Sequence, residues 1–230
     1  MPFKYLKTIA PDAECVFAVD ALLQRPKHAE IIAQTISIWS HIEHQLGLLF
    51  TFLCGPDVAQ DAIKFSELRT LKAQKSRIDD AANSRLQGED ISIWDAILRS
   101  VEKNARLRNE FAHHIWGYSE HPRLSDAALL LNPRIDWKRS GRALHYYWHG
   151  SPSLDISLRE MVHDASKIRV YQVKDLIEAR SKITELYSCI AIFHAILFNP
   201  FIQIDLERKN AMRAEIMTKT LLRHHRKASS

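Results

Sequence analysis

Apolar residues recur at helical spacing in four stretches of the chain. On a helical wheel, one broad apolar face runs along residues 91–115, and comparable faces run along residues 29–53 and 175–198. A thinner stripe runs along residues 57–86, which we predict to form a short helix and then a longer one after Ser66. The pattern predicts a mainly helical protein.

Residues 118–174 differ in kind from the helical stretches. Three short segments, Ala127–Leu131, 143–148 and 167–173, are rich in β-branched or aromatic residues and are separated by Pro, Gly, Ser and Asp. They predict a small β insertion between the third and fourth long helices, with strands nowhere else. The short connections between the first three helices favour an antiparallel up-and-down bundle.

Three parts of the chain follow from this pattern. Residues 1–28 show no clear periodicity and are expected to form an N-terminal arm. Residues 29–199 would form the helical bundle with its insertion. Residues 200–230 would carry one more amphipathic helix and then a basic tail at 223–227.

Composition adds limits to this architecture. The chain has 230 residues, which suits one domain with additions, and its six glycines favour helices over a turn-rich β protein. The net charge of +5 is compatible with a polyanionic partner but does not demand one. The apolar runs at 46–53 and 190–198 are too short to span a bilayer, and the three cysteines show no paired spacing. We expect a cytoplasmic protein without membrane contact.

Two charged residues interrupt the apolar faces. Arg108 falls in the middle of the face on 91–115, and Glu43 falls in the middle of the face on 29–53. A guanidinium in such a place is paired, lines a cleft or extends its charged end to water. One interpretation is a buried Glu43–Arg108 ion pair that holds two helices in register and has no further role.

The other interpretation is a reaction site around Arg108. Asn109 follows it directly, and His113 lies near the end of the predicted helix, where the chain could turn it towards the same cleft. A permanent cation, an amide and a side chain of a type that titrates near neutrality thus lie within six residues. Such a group can move protons and stabilise negative charge.

At these residues the chain resembles the HEPN superfamily. The segment Arg108-Asn109-x-x-Ala112-His113 is similar to that superfamily's motif, an Arg often followed by Asn and then a His a few residues on. The surrounding helical frame, at about 29–117 and 175–199, extends the likeness. The resemblance therefore implies a HEPN-like helical bundle.

The same resemblance implies a chemistry. Many HEPN proteins are metal-independent endoribonucleases without a cofactor, in which the 2′-OH of RNA attacks the neighbouring phosphorus. His113 would be the acid or base, and Arg108 would stabilise the charge on the phosphoryl oxygens. Asn109 would hold the histidine or the phosphate, and Glu43 would orient Arg108.

Partners also follow from the resemblance. Family ribonucleases commonly act as homodimers with facing motifs, some members serve as toxins or in defence, and some pair with an antitoxin or a nucleotidyltransferase. Other members are non-catalytic, so the alternative is a helical domain that binds nucleic acid or protein and uses Glu43 and Arg108 structurally.

Four further residues are candidates for contact with RNA. His114 flanks the motif, and Lys75 belongs to a basic outer face on 57–86 that is either a phosphate contact or only a solvated surface. Arg142 and Tyr147 lie in the predicted insertion, where aromatic residues either stack bases or simply pack.

Other chemistries fit less well. The chain has no Gly-rich phosphate loop, no Gly-x-Ser-x-Gly and no His-Glu-x-x-His. A zinc site built from His41, His44, His113 and His114 is an alternative, but helical spacing puts His41 and His44 on polar flanks away from Glu43. We therefore predict no metal.

Overall fold

The structure, a computed structural model, describes residues 4–55, 57–68, 70–132, 165–198 and 205–219. It is mainly helical and contains a small antiparallel sheet. The chain divides into two compact units. Residues 1–35 and 109–180 form the first, the sheet unit, and residues 36–108 and 181–230 form the second, the helical unit.

The elements follow one another along the chain as five strands and seven α-helices in the described ranges. The helices are α1 (Leu6–Ile9), α2 (Pro26–Cys54), α3 (Val58–Ser66), α4 (Leu71–Arg85), α5 (Glu89–His113), α6 (Val173–Phe198) and α7 (Leu206–Thr218). The strands are β1 (Lys4–Tyr5), β2 (Val16–Phe17), β3 (Ile115–Tyr118), β4 (Ala127–Leu131) and β5 (Arg169–Gln172). Short 3₁₀ turns lie at Ala21–Gln24 and Pro122–Leu124.

The sheet has the strand order β1-β5-β4-β3-β2, and every neighbouring pair is antiparallel. Its centre is β4, in which all five residues are buried. On one face Leu129, Leu131 and Val170 join Leu6 of α1 in a hydrophobic cluster. Because side chains alternate along a strand, Tyr171 belongs to the other face, where it packs edge-on against Phe111 of α5.

The helical unit has an aromatic core. Trp94 of α5 stacks on Phe193 of α6 with ring centroids 6.4 Å apart, and its indole N–H donates to Asp79 of α4 at 3.2 Å. Phe50 of α2 stacks on Phe65 of α3 at 4.9 Å. The first two contacts join α4, α5 and α6, and the third joins α2 to α3, in each case through residues of the apolar stripes or beside them.

Local capping explains where the helices begin and end. The side chains of Asp57, Thr70 and Asp205 accept backbone N–H groups at the starts of α3, α4 and α7. At the end of α2, Gly55 has a φ of 133°, and Arg85 donates to the carbonyl of Cys54 at 3.3 Å. The end of α2 is therefore stabilised by a specific contact.

The predicted helices are confirmed with small shifts in their bounds. The helix expected after Ser66 is α4, and the helix expected in the C-terminal segment is α7. The helix that carries the motif ends at His113 rather than at residue 115, because Ile115 and Trp116 pair with Leu131 and Leu130 in the sheet. Apolar residues that fit a helical face thus belong to a strand.

The expectation that strands occur only within residues 118–174 is wrong. β1 and β2 lie within the predicted N-terminal arm and form the two edges of the sheet, and β3 lies almost wholly before residue 118. A two-residue strand has no periodicity to detect, since only its pairing with a distant strand defines it. The strand expected at 143–148 lies outside the described residues.

No helix in the described part of the chain is both long and apolar enough to cross a membrane.

Candidate functional site

Glu43 and Arg108 face each other in the helical unit. The Nη2 of Arg108 on α5 donates to the Oε1 of Glu43 on α2 at 3.5 Å. The side chain of Arg108 is 25% exposed and that of Glu43 is 37% exposed. The predicted contact between these two residues is therefore present, but the pair is not buried as expected.

A third residue holds the carboxylate. Trp39 lies one helical turn before Glu43 on α2, and its indole N–H donates to the same Oε1 at 2.7 Å. Trp39 is 1% exposed, so its ring is fixed by the surrounding core. The tighter hydrogen bond of Glu43 is thus the one from the neutral indole.

Two ion pairs between helices of the described helical unit are closer, whereas Lys64 and Asp61 within α3 are also 3.5 Å apart. Arg213 of α7 contacts both oxygens of Asp90, at 2.8 and 3.0 Å, and Lys75 of α4 approaches Glu102 of α5 at 2.6 Å. Charge-assisted hydrogen bonds usually measure about 2.7–2.9 Å. The distance between Arg108 and the Glu43 carboxylate is therefore longer than that of a strong ion pair.

The remaining motif residues, Asn109 and His113, belong to the sheet unit. Both side chains are exposed. His113 is the last residue of α5, and the N–H of His114 still donates to the carbonyl of Glu110 at 3.0 Å. The chain therefore turns only after His113, so this histidine keeps its helical direction and is not turned back by the helix end.

A second charged cluster surrounds the end of α5 within the sheet unit. Glu110 pairs with Arg169 of β5 through a short contact, and both side chains are about three-quarters buried. Burial acts to lower the pKa of Arg169, but the charges of Glu110 and Tyr171 and the hydrogen bonds to both side chains together raise it. Burial raises the pKa of the nearby Tyr171 hydroxyl to about 12. The pair links the last turn of α5 to the sheet.

His114 lies beside this cluster. Burial lowers the pKa of His114 below its ordinary value, while the charge of Glu110 acts in the opposite direction. A lowered pKa keeps the imidazole neutral at pH 7. His114 also lines a groove of about 790 Å³, together with Phe17, Trp116 and Tyr118. The two neighbouring histidines thus have different surroundings.

The other predicted contacts have mixed outcomes. Lys75 of α4 is partly buried, and its ammonium is paired with Glu102 of α5. Arg142 and Tyr147 lie outside the described residues. Among the residues that the structure describes, no group of three or more His, Cys, Asp or Glu side chains is arranged to hold a metal ion.

Sequence reasoning missed Trp39 and the Glu110–Arg169 pair. Trp39 lies on the apolar face of residues 29–53, and its spacing of four residues from Glu43 is a visible signal for a side-chain hydrogen bond on one helix. The partner of Glu110 lies 59 residues away in the chain. No local spacing points to that pairing.

Comparisons with models of protein families, with curated proteins and with solved structures find no match for this chain.

Proposed function

We propose that this protein is a metal-independent endoribonuclease of the HEPN type. The observation that carries the proposal is the geometry of Arg108. It lies 3.5 Å from a carboxylate that a buried indole already holds, and a quarter of its side chain is exposed. A partly exposed guanidinium offers a permanent positive charge and a planar fork of donors, which suits two oxygens of a phosphodiester.

The chemistry needs few groups. RNA supplies its own nucleophile, because the 2′-OH attacks the adjacent phosphorus and expels the 5′-oxygen of the next nucleotide. A base must take the 2′ proton and an acid must give a proton to the leaving oxygen. Negative charge on the phosphoryl oxygens must be stabilised. In the proposal His113 moves protons, Arg108 binds the phosphoryl oxygens and Asn109 positions one of them.

The proposal includes a second copy of the chain, which would supply the second histidine. Residues five apart on an α-helix point about 140° away from each other, and α5 remains helical through His113. One copy also offers one motif histidine, whereas in-line cleavage needs an acid and a base on opposite sides of the phosphate. A two-fold homodimer with facing motifs supplies both.

The test is incubation of purified protein with a pool of labelled single-stranded RNA in EDTA. We expect cleavage products that end in a 2′,3′-cyclic phosphate. The His113→Ala variant should retain its circular dichroism spectrum and lose cleavage by at least about a hundredfold, the usual scale of general acid–base catalysis. The exposed His44 offers the matched control, His44→Ala, which should cut as the parent does.

Three results would contradict the proposal. They are cleavage that requires a metal, cleavage that survives His113→Ala, and the absence of any cleavage. The last result, together with RNA binding that depends on Arg108, would favour a non-catalytic nucleic-acid-binding domain.

A further inference from the structure

In the helical unit, α5 is exposed along one narrow stripe. Its other sides are buried, for example at Ile97, Val101 and Ala105. Between residues 95 and 106 the exposed side chains are Asp95, Arg99, Glu102, Lys103 and Arg106. These five, which we call the α5 stripe, fall within roughly a third of the helix circumference. The accessible surface of this part of α5 is therefore a single row of charged side chains.

The cations of the α5 stripe are not neutralised along the helix. Asp95 precedes Arg99 by four residues and Glu102 precedes Arg106 by four residues, the spacing that favours ion pairs on one helix. Glu102 instead contacts Lys75 of α4 at 2.6 Å. Among the residues that the structure describes, none of the three cations of the stripe forms an ion pair. Their positive charge is therefore not balanced by a paired carboxylate of the described chain.

The surroundings of the stripe favour a nucleic-acid backbone as its partner. The structure describes every residue of α4 and α5, and no large apolar side chain of either helix is exposed. A helix that binds a membrane surface buries an apolar face in the lipid, and the centre of a protein–protein interface is depleted of charge. A nucleic-acid backbone needs only cations that reach its phosphates.

The packing of α5 favours a single strand over a duplex. A helix that enters the major groove of a duplex must protrude from the protein. α5 does not protrude, because Trp94 contacts both α4 and α6 and Lys75 of α4 lies beside the stripe. Arg99 and Arg106 are roughly 10 Å apart along the helix axis, so the row is long enough to contact more than one phosphate of a single backbone.

We propose that the α5 stripe binds the phosphodiester backbone of single-stranded nucleic acid through Arg99, Lys103 and Arg106. This surface goes beyond the proposed function, because it requires neither Arg108 nor His113. Binding of this kind does not depend on base sequence, since every nucleotide carries the same phosphate. It does depend on salt, because each contacted phosphate releases condensed counterions.

The test measures binding of a labelled single-stranded DNA oligonucleotide, which lacks the 2′-OH and is not cut, by fluorescence anisotropy at several salt concentrations. The variant Lys103→Gln/Arg106→Gln removes two cations and keeps residues that favour a helix. We expect the slope of log affinity against log salt to decrease in magnitude by about 1.4, and affinity at 0.1 M salt to fall at least roughly tenfold. A second oligonucleotide of different base sequence should give the same values.

Two further variants separate the stripe from the net charge of the protein. Lys64→Gln/Arg77→Gln also removes one lysine and one arginine, but from the groove beside Cys54, and should leave affinity nearly unchanged. Glu102→Gln removes a carboxylate from the stripe and releases Lys75 from its ion pair, so it should increase affinity. Circular dichroism checks that each variant keeps its fold. Charges that act only through the net charge would make the two double variants equally weak.

The outcomes distinguish this inference from the proposed function. Stripe-dependent binding without RNA cleavage refutes the ribonuclease and supports the stripe. RNA cleavage by a protein whose oligonucleotide binding and salt dependence are unchanged by Lys103→Gln/Arg106→Gln overturns the stripe and does not affect the ribonuclease proposal. The absence of oligonucleotide binding, equal losses in the two double variants, or tighter binding of a duplex of the same sequence overturns it as well. Stripe-dependent binding to phosphatidylserine vesicles, without binding of the oligonucleotide, would identify a membrane surface instead.

Discussion

Glu43 makes two contacts of different kinds with one carboxylate. Its carboxylate satisfies the N–H of a buried indole and also lies across from a cation. Exposed ion pairs contribute about 0–1 kcal/mol to stability, so the Arg108 contact adds little. The hydrogen bond to Trp39 matters more, because a buried donor that loses its acceptor costs about 1–3 kcal/mol.

The first prediction at this scale concerns the stability of two Glu43 variants. Glu43→Ala should lower the free energy of unfolding by about 1–3 kcal/mol, because it removes the acceptor of the Trp39 N–H. Glu43→Gln keeps an acceptor and should cost clearly less. Urea denaturation monitored by circular dichroism provides the measurement. Equal stability of the two variants would show that charge, and not the indole hydrogen bond, is the important property of Glu43.

The second prediction concerns pH and His28. His28 is buried at the start of α2 in the sheet unit, and its Nε2 has no hydrogen-bond partner among the described residues. Burial lowers its pKa, the charge of Asp126 and a backbone hydrogen bond with Tyr171 act to raise it, and the charges of Arg25 and Lys27 act to lower it further. Burial also lowers the pKa values of His114 and His194.

The lowered pKa of His28 determines whether stability rises or falls with pH. Below the unfolded value of about 6.5, the unfolded chain binds protons that the folded chain does not. Stability is therefore full above that pH and falls as the pH drops towards the folded pKa. Urea midpoints should decrease from pH 7.5 to 5.0, and His28→Gln should flatten the decrease. A decrease of the same size in His28→Gln would show that His28 is not its source.

Part of the candidate site was predictable at the scale of residues. On helical wheels, Glu43 and Arg108 each fall in the middle of an apolar face. This pattern alone predicts the contact between them. The exposure of the pair was not predictable, because a wheel gives direction but not the depth of the neighbouring helices. The role of Trp39 was overlooked because a large aromatic ring on an apolar face was considered only as core.

At the scale of elements, the long helices can be recognised from their local sequence pattern, whereas the short strands cannot. α2, α5 and α6 each extend over many turns, so their apolar periodicity is visible. β1 and β2 have two residues each and exist only through pairing with β5 and β3. The sequence therefore predicted the long helices, β4 and β5, but not α1 or the edges of the sheet.

The surroundings of Gly117 allow a prediction about β2 and β3. A Cβ built on Gly117 of β3 would lie 2.5 Å from the ring of Phe17 and 2.7 Å from the carbonyl oxygen of Val16. The backbone of β2 would have to move, and overpacking typically costs about 1–3 kcal/mol. Gly117→Ala should lower the melting temperature and reduce amide protection in β2 and β3.

The control for this prediction is Gly47 in α2. A Cβ there would lie 3.4 Å from the ring of Phe65, which is close to ordinary contact. Alanine is favoured over glycine in a helix interior by up to about 1 kcal/mol. Gly47→Ala should therefore be neutral or stabilising. If both variants lost stability equally, the close approach of β2 to Gly117 would not be the cause.

At the scale of the whole molecule, the proposed chemistry requires more than one copy of the chain. The motif arginine is paired within the helical unit, whereas the motif histidine is exposed at the end of α5 in the sheet unit. Each copy carries one motif histidine, and two proton-transfer groups are needed. A homodimer whose interface includes the helices that carry Glu43 and Arg108 would place two histidines at one groove.

The last prediction is the activity of mixed dimers. Wild-type chain and the His113→Ala variant are mixed in equal amounts under conditions that allow subunit exchange, and RNA cleavage is then measured at constant total protein. If each site needs a histidine from both copies, only dimers of two wild-type chains cut. Random pairing makes these about a quarter of all dimers, so activity should fall to about a quarter of the wild-type value.

Independent sites lead to a different result in the same experiment. If each chain worked alone, activity would fall only to about half, in proportion to the wild-type chains present. Analytical ultracentrifugation of the mixture confirms that the dimers are present, and a mixture measured before exchange gives the baseline. A value near half after complete exchange, or a monomer at working concentration, would show that one copy supplies the whole site. The acid and the base would then have to come from a single chain.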